Sequence, residues 1–409
     1  MYKLLQINTI ANSGSTGKIA EQIGVLAKNN GWDSYMAYGR WAYNSSLNLY
    51  KIGNKKDIYV HALQSLLLDR HALGSKEATY AFIEKIKEIN PDIIHFHNIH
   101  GYYLNLPIIC DFLVDFGKPV VMTLHDCWTV TGHCVHFQDI NCQKWIEGCH
   151  HCPNLKGYPK SLLIDNSSNN WNIKRNSFRK ILPLLTIVPV CDWLDDIISQ
   201  SYLKGAKRKV IVNGIDLNVF KPVKNIITFD FKKLLENRFT ILCVSNGWNS
   251  TKGYEDILWL RERLTDEYVI IIVGVSSKQK KCLPDGIIGI RKTKNISQLV
   301  ELYSMADVFL NPTYQDTLPT VSIEAMACGT PIIGYNTGGS AYIIDNNVGS
   351  LVERGKKELL LEAVKSLKTI GKQYYQMKCR EKALSIFNNS ECYKKYLDLY
   401  LNLIQNSSK

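Results

Sequence analysis

Short runs of aliphatic and β-branched residues alternate with helix-length amphipathic segments along nearly the whole chain. This rhythm restricts the fold severely. A strand that must pair in parallel with its neighbour has to return through a crossover, so the alternation builds parallel sheets covered by helices on both faces. The class expected is α/β. Strands are predicted at residues 3–7, 93–96, 120–124, 186–190 and 210–212 in the first half, and at 239–244, 268–273, 308–311 and 332–334 in the second. Two such series, separated by Asn213-Gly214-Ile215-Asp216 and Lys221-Pro222, predict two doubly wound Rossmann-like domains with a cleft between them. The first is expected over residues 1–218, joined by a terminal helix at 388–409, and the second over 219–387. With 409 residues there is enough chain for two full cores.

Charge and composition narrow the partners. The net charge of +12 divides as +5 up to residue 218 and +7 beyond it, so no basic tail or arginine cluster marks a nucleic-acid surface. A nucleotide or an anionic membrane face fits that spread charge better. The longest apolar stretches, such as residues 269–275, fall well short of the ~20 residues that cross a bilayer. The N-terminal segment is too polar for a signal peptide, which leads to an expected cytoplasmic location, at the inner face of the membrane if the positive charge meets anionic lipid.

Ligands of open parallel sheets sit beyond the C-terminal ends of the strands, and the informative residues follow strands here. After the first strand comes Asn12-Ser13-Gly14-Ser15-Thr16-Gly17-Lys18, with a helix expected from near Ile19. Glycines at 14 and 17 let backbone amides approach an anion, and the helix start adds positive charge. An ATPase loop is excluded, because Asn12 stands where the Walker pattern needs glycine and Ile19 where it needs Ser or Thr. The alternative is a tight strand-to-helix turn with no ligand. His125 follows another strand, and Lys252 opens a helix after residues 239–244, where one ammonium could neutralise a diphosphate. In residues 311–331, Asp316 lies in a loop and Glu324 eight residues on, inside a short helix. Two carboxylates on either side of the Leu318-Pro319-Thr320 loop can take sugar hydroxyls and ribose hydroxyls, while the free N–H groups of that loop meet phosphate.

The segment from Asp316 to Pro331, Asn213-Gly214-Ile215-Asp216, Lys252-Gly253, the Gly14 to Gly17 loop and Thr123-Leu124-His125-Asp126 stand in the order found in glycosyltransferase family 4. The whole chain resembles that family, and His95-Phe96-His97-Asn98-Ile99-His100-Gly101 looks like its bacterial capsule and exopolysaccharide subgroup. The resemblance implies a GT-B fold and a retaining transfer from a UDP- or GDP-sugar to a glycan or a polyprenyl-diphosphate-linked oligosaccharide. It casts Glu324 as the ribose ligand, Lys252 as the diphosphate cation and Asp316 as the sugar-binding carboxylate. Gly14, Ser15, Thr16 and Gly17 would approach the diphosphate, with His125 at the donor sugar. Three positions depart from the pattern: Asp316 replaces a glutamate, Gly247 a phosphate-binding arginine, and Tyr342 a glutamate. The thinned cationic clamp keeps open a rival reading, an inactive sugar-nucleotide-binding partner in a polysaccharide assembly complex. No cofactor is expected in the chemistry, since no Asp-x-Asp spacing occurs and Lys252 can do the neutralising.

Two segments invite other readings. Five cysteines fall between Cys127 and Cys152, and Cys134, Cys142, Cys149 and Cys152 could supply four thiolates to a structural zinc. Free thiols in a packed loop, or a disulfide, are the alternatives. Residues 171–182 mix Trp171, Phe178 and Leu182 with Lys174, Arg175, Arg179 and Lys180, and would touch an anionic membrane if the apolar stripe were exposed; an ordinary packed helix is the plainer reading.

Overall fold

The computed structural model describes residues 1–224 and 235–407. Residues 225–234 of the second expected domain, and the last two of the expected terminal helix, lie outside the described residues. The chain divides into two compact units, Met1–Val212 with Cys392–Lys409, and Asn213–Glu391.

The first unit is built on seven parallel strands: β1 (Lys3–Asn8), β2 (Asp33–Tyr38), β3 (Asn48–Lys51), β4 (Ile93–Phe96), β5 (Val120–Leu124), β6 (Leu185–Pro189) and β7 (Lys207–Arg208). They lie in the order β3-β2-β1-β4-β5-β6-β7. The sequence direction of the sheet therefore reverses between β1 and β4, paired through Leu4 with Ile93 and Ile7 with Phe96. Strands at the centre, such as β5, are buried at every residue, as expected where helices cover both faces. The terminal helix Asn389–Ser407 packs here through Tyr393, Tyr396, Leu397 and Tyr400. Its Tyr396 hydroxyl pairs with Thr123 Oγ1 at 3.0 Å and Tyr400 Oη with His95 Nδ1 at 2.6 Å, which fixes the helix against the strand ends.

The second unit carries β8 (Phe239–Val244), β9 (Tyr268–Val273), β10 (Ile287–Ile290), β11 (Val308–Asn311), β12 (Ile332–Tyr335) and β13 (Gly349–Val352), in the order β10-β9-β8-β11-β12-β13. All pairings are again parallel, and the order reverses between β8 and β11. Each sheet thus has the doubly wound, Rossmann-like topology expected of it.

Four strands, β2, β3, β10 and β13, were not expected, and β7 forms at Lys207–Arg208 rather than at 210–212. All but β2 lie at or beside a sheet edge with one side in solvent, and their patterns are mixed rather than continuously apolar. The aromatic and basic segment also reads differently in place. In the helix Ser167–Lys180, Trp171, Lys174 and Phe178 are buried, and Lys174 Nζ donates to the carbonyls of Trp128 and Thr131. Its apolar stripe is thus covered by the unit itself and offers no face to a membrane.

Candidate functional site

In the first unit the candidate residues gather at the β1–β4 reversal, where a doubly wound sheet opens a crevice. The helix expected from near Ile19 starts earlier, at Gly14, so Gly14, Ser15, Thr16 and Gly17 form its first turn. The amides of Gly14, Ser15 and Thr16 have no partner within the helix and carry its positive end. Ser13, the capping residue, makes no side-chain bond to them. Gly17 packs so closely on the Ile10 carbonyl that a Cβ would lie 3.0 Å from its oxygen. Asn8, at the end of β1, holds this turn to the loop after β4: its Nδ2 donates to the Ile10 carbonyl at 2.9 Å, and its Oδ1 accepts from Asn98 N at 3.2 Å.

His125 follows β5 and is reached from β1 through a chain of side chains. Gln6 Nε2 donates to the Ala20 carbonyl at 2.8 Å, which leaves Gln6 Oε1 as an acceptor toward His97 Nε2 at 3.0 Å. His97 Nε2 must then carry the proton, so its Nδ1 accepts from His125 Nε2 at 3.1 Å. The carbonyl at Ala20 thereby sets the tautomer of His125, with Nδ1 left as its acceptor. Burial, with a further push from His100 against the pull of Asp126, brings the His125 imidazole down to about 4, so it is neutral at pH 7. Burial drives Asp126 upward, yet the His100 ion pair at 2.7 Å, His136 and the Trp128 amide together hold it at about 2. The site therefore offers a neutral imidazole beside a charged carboxylate. Gln6→Leu removes the anchor, and nitrogen-15 NMR should then show both His125 tautomers where the parent shows Nε2–H alone. A single unchanged tautomer in Gln6→Leu would refute the relay.

In the second unit the β8–β11 reversal holds the others. Lys252 ends a short 3₁₀ turn, Ser250–Lys252, whose start is capped by Asn249 accepting from Lys252 N at 3.0 Å. Gly253 then turns at φ +72° into the helix Tyr254–Arg263, and a Cβ there would meet the Pro312 carbonyl at 2.1 Å. Close contact of this turn with the loop after β11 continues through Tyr314 N, which donates to the Thr251 carbonyl at 2.9 Å. The same contact brings Lys252 Nζ to 2.9 Å from Asp316 Oδ2, both half-buried. Leu318 is buried, and Pro319 caps the helix Thr320–Ala327, which carries Glu324. Glu324 Oε2 accepts from the buried Tyr303 hydroxyl at 2.8 Å, so one of its oxygens is held in place. Beside Asp316, the Gln315 side-chain oxygen is buried without a hydrogen-bond partner, as a group awaiting a ligand would be.

The expected residues thus form two groups, one in each unit: Gly14 to Gly17 with His125, and Lys252, Asp316, Leu318, Pro319, Thr320 and Glu324. Gly247 sits at φ +153°, a conformation that strains an arginine, so the loop itself is built differently where the family pattern has its cation. Sequence reading missed Gln6, Asn8 and Tyr303. For the first two a signal existed: they are polar residues inside an otherwise apolar strand, and both are fully buried. It also missed Arg354, which follows β13 and acts electrostatically on Tyr314, two residues before Asp316.

The zinc expectation is corrected. Cys134, Cys142, Cys149 and Cys152 do line one pocket with Phe137 and Trp145, but among the described residues no group of three or more His, Cys, Asp or Glu side chains is placed to hold a metal. The sulfurs are otherwise engaged. The Cys134 thiol donates to the Cys152 sulfur, which raises the first and lowers the second to about 7, and Cys149 Sγ accepts from Gly132 N at 3.1 Å.

Residues 225–383 match the family model of the glycosyl transferases group 1. That match spans 159 of the 409 residues, within the second unit. Along its length it is 23% identical to the putative colanic acid biosynthesis glycosyl transferase WcaC of Escherichia coli K12, covering 98% of this chain and 100% of that one. It is 25% identical to an Escherichia coli UDP-Gal:α-D-GlcNAc-diphosphoundecaprenol α-1,3-galactosyltransferase over 51% of this chain and 58% of that one. The Anabaena protein HepE, solved in complex with UDP-glucose, superposes with a TM-score of 0.64 at 13% identity, covering 98% of this chain and 100% of that one.

Proposed function

We propose that this glycosyltransferase moves a sugar from a nucleoside diphosphate sugar, a UDP- or GDP-sugar, to a hydroxyl of a glycan or polyprenyl-diphosphate-linked oligosaccharide during cell-surface polysaccharide synthesis. The observation that carries the reading is the Lys252–Asp316 pair at the β8–β11 reversal, with Glu324 held one helix turn beyond the intervening loop. A cation for the diphosphate, a carboxylate for sugar hydroxyls and one for the ribose are the groups such a donor needs. The similarity to a galactosyltransferase named for UDP-Gal and a diphosphoundecaprenol acceptor supports the donor and acceptor classes. In this reading the transfer proceeds with retention and without a metal in the chemistry. The acceptor oxygen bonds to the anomeric carbon on the face from which the diphosphate leaves, the sugar–phosphate bond breaks, and the departing phosphate takes the acceptor's proton. Lys252 stabilises the charge that grows on that phosphate.

A thermal-shift panel of UDP-, GDP- and ADP-sugars tests the reading. A donor present at about a hundred times its Kd adds about 2.7 kcal/mol, which raises the melting temperature by about 5–10 °C. Glu324→Gln, which keeps an acceptor for Tyr303, should reduce that shift, and Glu324→Ala should abolish it. If no nucleotide sugar or nucleoside diphosphate raises the melting temperature, the proposal is wrong. A shift without any transfer or hydrolysis of the bound donor would favour the inactive-partner reading that Gly247 keeps open.

A further inference from the structure

The loop after β2 carries a cation with no partner. Arg40 is half-buried, and among the described residues its guanidinium forms no ion pair and no hydrogen bond. It lies instead over the Trp41 ring, with Cζ 4.8 Å from the centroid. Local packing fixes it at the crevice. Arg40 N donates to the Thr9 carbonyl at 2.8 Å, Thr9 Oγ1 donates to the Asn98 carbonyl at 3.1 Å, and a Cβ on Gly39 would stand 2.2 Å from the Tyr103 ring. The loops after β1, β2 and β4 are thereby held together. This brings the Arg40 charge to Tyr102 and Tyr158, where burial pushes both phenols up and the guanidinium pulls against it. A guanidinium drawn partly out of water without a counter-charge is costly, and it marks a place for an anion.

Another group in this cluster also offers a proton rather than a lone pair. His71 Nδ1 accepts from Trp128 Nε1 at 2.9 Å, so Nε2 carries the proton, and that buried N–H has no hydrogen-bond partner. The His71 ring stands 5.1 Å from Tyr102 and 5.8 Å from Tyr158. The carboxylates of these loops are engaged. Asp126 takes His100 Nε2 at 2.7 Å on one oxygen and Trp128 N at 2.9 Å on the other, and Glu21 accepts from Ser45 Oγ and Ser46 N. Donors in excess of acceptors select a ligand rich in lone pairs, and a planar guanidinium matches phosphate oxygens in pairs. Trp41 and Tyr158, 47% and 40% exposed, add rings on which a sugar can stack. We infer that Arg40, with Tyr102 and Tyr158, binds a phosphate group of the acceptor substrate, and that Trp41 takes the sugar joined to it. Assigning the phosphate to the acceptor rests on the transfer reading above, in which Lys252 holds the donor's diphosphate; the anion site itself does not.

Inorganic pyrophosphate, titrated into the full chain at constant ionic strength, tests the site through the Trp41 indole N–H signal, identified by its loss in Trp41→Phe. That signal should shift and saturate with a Kd of about 1–10 mM. Arg40→Gln should weaken binding about tenfold or more, and Tyr158→Phe about threefold, whereas Lys252→Ala should bind as the parent does. UDP, at the concentration that saturates its melting shift, should not displace pyrophosphate. With a donor taken from the melting panel, Arg40→Gln should raise the KM of a diphosphate-linked acceptor about tenfold and leave the donor KM unchanged. The inference is overturned if the Trp41 signal ignores pyrophosphate, or if Arg40→Gln and Tyr158→Phe both bind it like the parent. Displacement by UDP, or an acceptor KM untouched by Arg40→Gln, would overturn it as well, the first by giving the site to the donor. A panel in which no nucleotide sugar binds would remove the transfer reading and the acceptor assignment with it, while the Trp41 titration would still decide the anion site.

Discussion

Replacing Lys252 by alanine is expected to lower kcat by about a hundredfold to a thousandfold, the range found when one preorganised charge-stabilising donor is removed from an active site. The ion pair itself contributes little to the fold. Lys252 and Asp316 are each about a quarter to a third exposed, so their pairing adds no more than about 1 kcal/mol, and the variant should fold normally. The cost falls on the transition state because the loop from β8 has Gly247, at φ +153°, where relatives of this pattern place an arginine. The diphosphate then depends on Lys252 more heavily than in a two-cation clamp. Asp316→Asn separates the two roles. It should lower kcat by a similar factor while leaving nucleoside diphosphate affinity close to that of the parent, whereas Lys252→Ala loses both. Lys252→Arg restores the charge but not its point geometry, and should recover part of the rate. Retention of more than about a tenth of parental kcat by Lys252→Ala would remove the lysine from the mechanism.

The strands that carry these residues were legible because buried parallel strands are continuously apolar; β5 and β9 announce themselves in Val-Val-Met-Thr-Leu and Tyr-Val-Ile-Ile-Ile-Val. Edge strands such as β3 and β13 face solvent on one side and lose that mark. Among the candidate residues, those that follow strands directly were readable from position alone, since ligands of such sheets lie there. The relay from Gln6 through His97 to His125 was not. It joins residues 91 and 28 positions apart, and nothing local in the sequence records the pairing. The cysteines and an amphipathic helix mark a different limit. Spacing shows that four sulfurs are near one another in the chain, but not whether their lone pairs converge on a metal or their protons bridge each other. Periodicity shows that a helix has an apolar stripe, but not what covers it. The stripe of Ser167–Lys180 is covered by its own unit.

Acidification should destabilise the first unit selectively. All ten histidines lie at or before His151, so the second unit has none. Burial lowers His61 to about 4, His95 to about 3 and His125 to about 4, and drives His71 and His97 down as well. The bonding makes the cause concrete: His61 Nε2 accepts from Gly74 N at 3.2 Å and His71 Nδ1 accepts from Trp128 Nε1 at 2.9 Å, and protonation of either nitrogen would set two donors against each other. In the unfolded chain these imidazoles titrate near 6.5, above their folded values, so the unfolded state binds more protons and stability falls as the pH drops through that window. At about pH 5 the loss relative to pH 7 is a little less than ~2 kcal/mol each for His61, His95 and His125, and about 5 kcal/mol for the three. Asp126 does not offset this, because its lowered carboxyl loses its contribution only as the pH falls from about 4 toward about 2. For a unit of this size the loss lowers its melting temperature by about 10–20 °C between pH 7 and about pH 5. Calorimetry of the full chain should show one transition moving by that amount and the other staying nearly in place. His61→Gln should reduce the shift, since glutamine cannot take the proton. A first-unit transition that moves by less than about 3 °C would mean that these histidines titrate near their ordinary value in the folded chain as well.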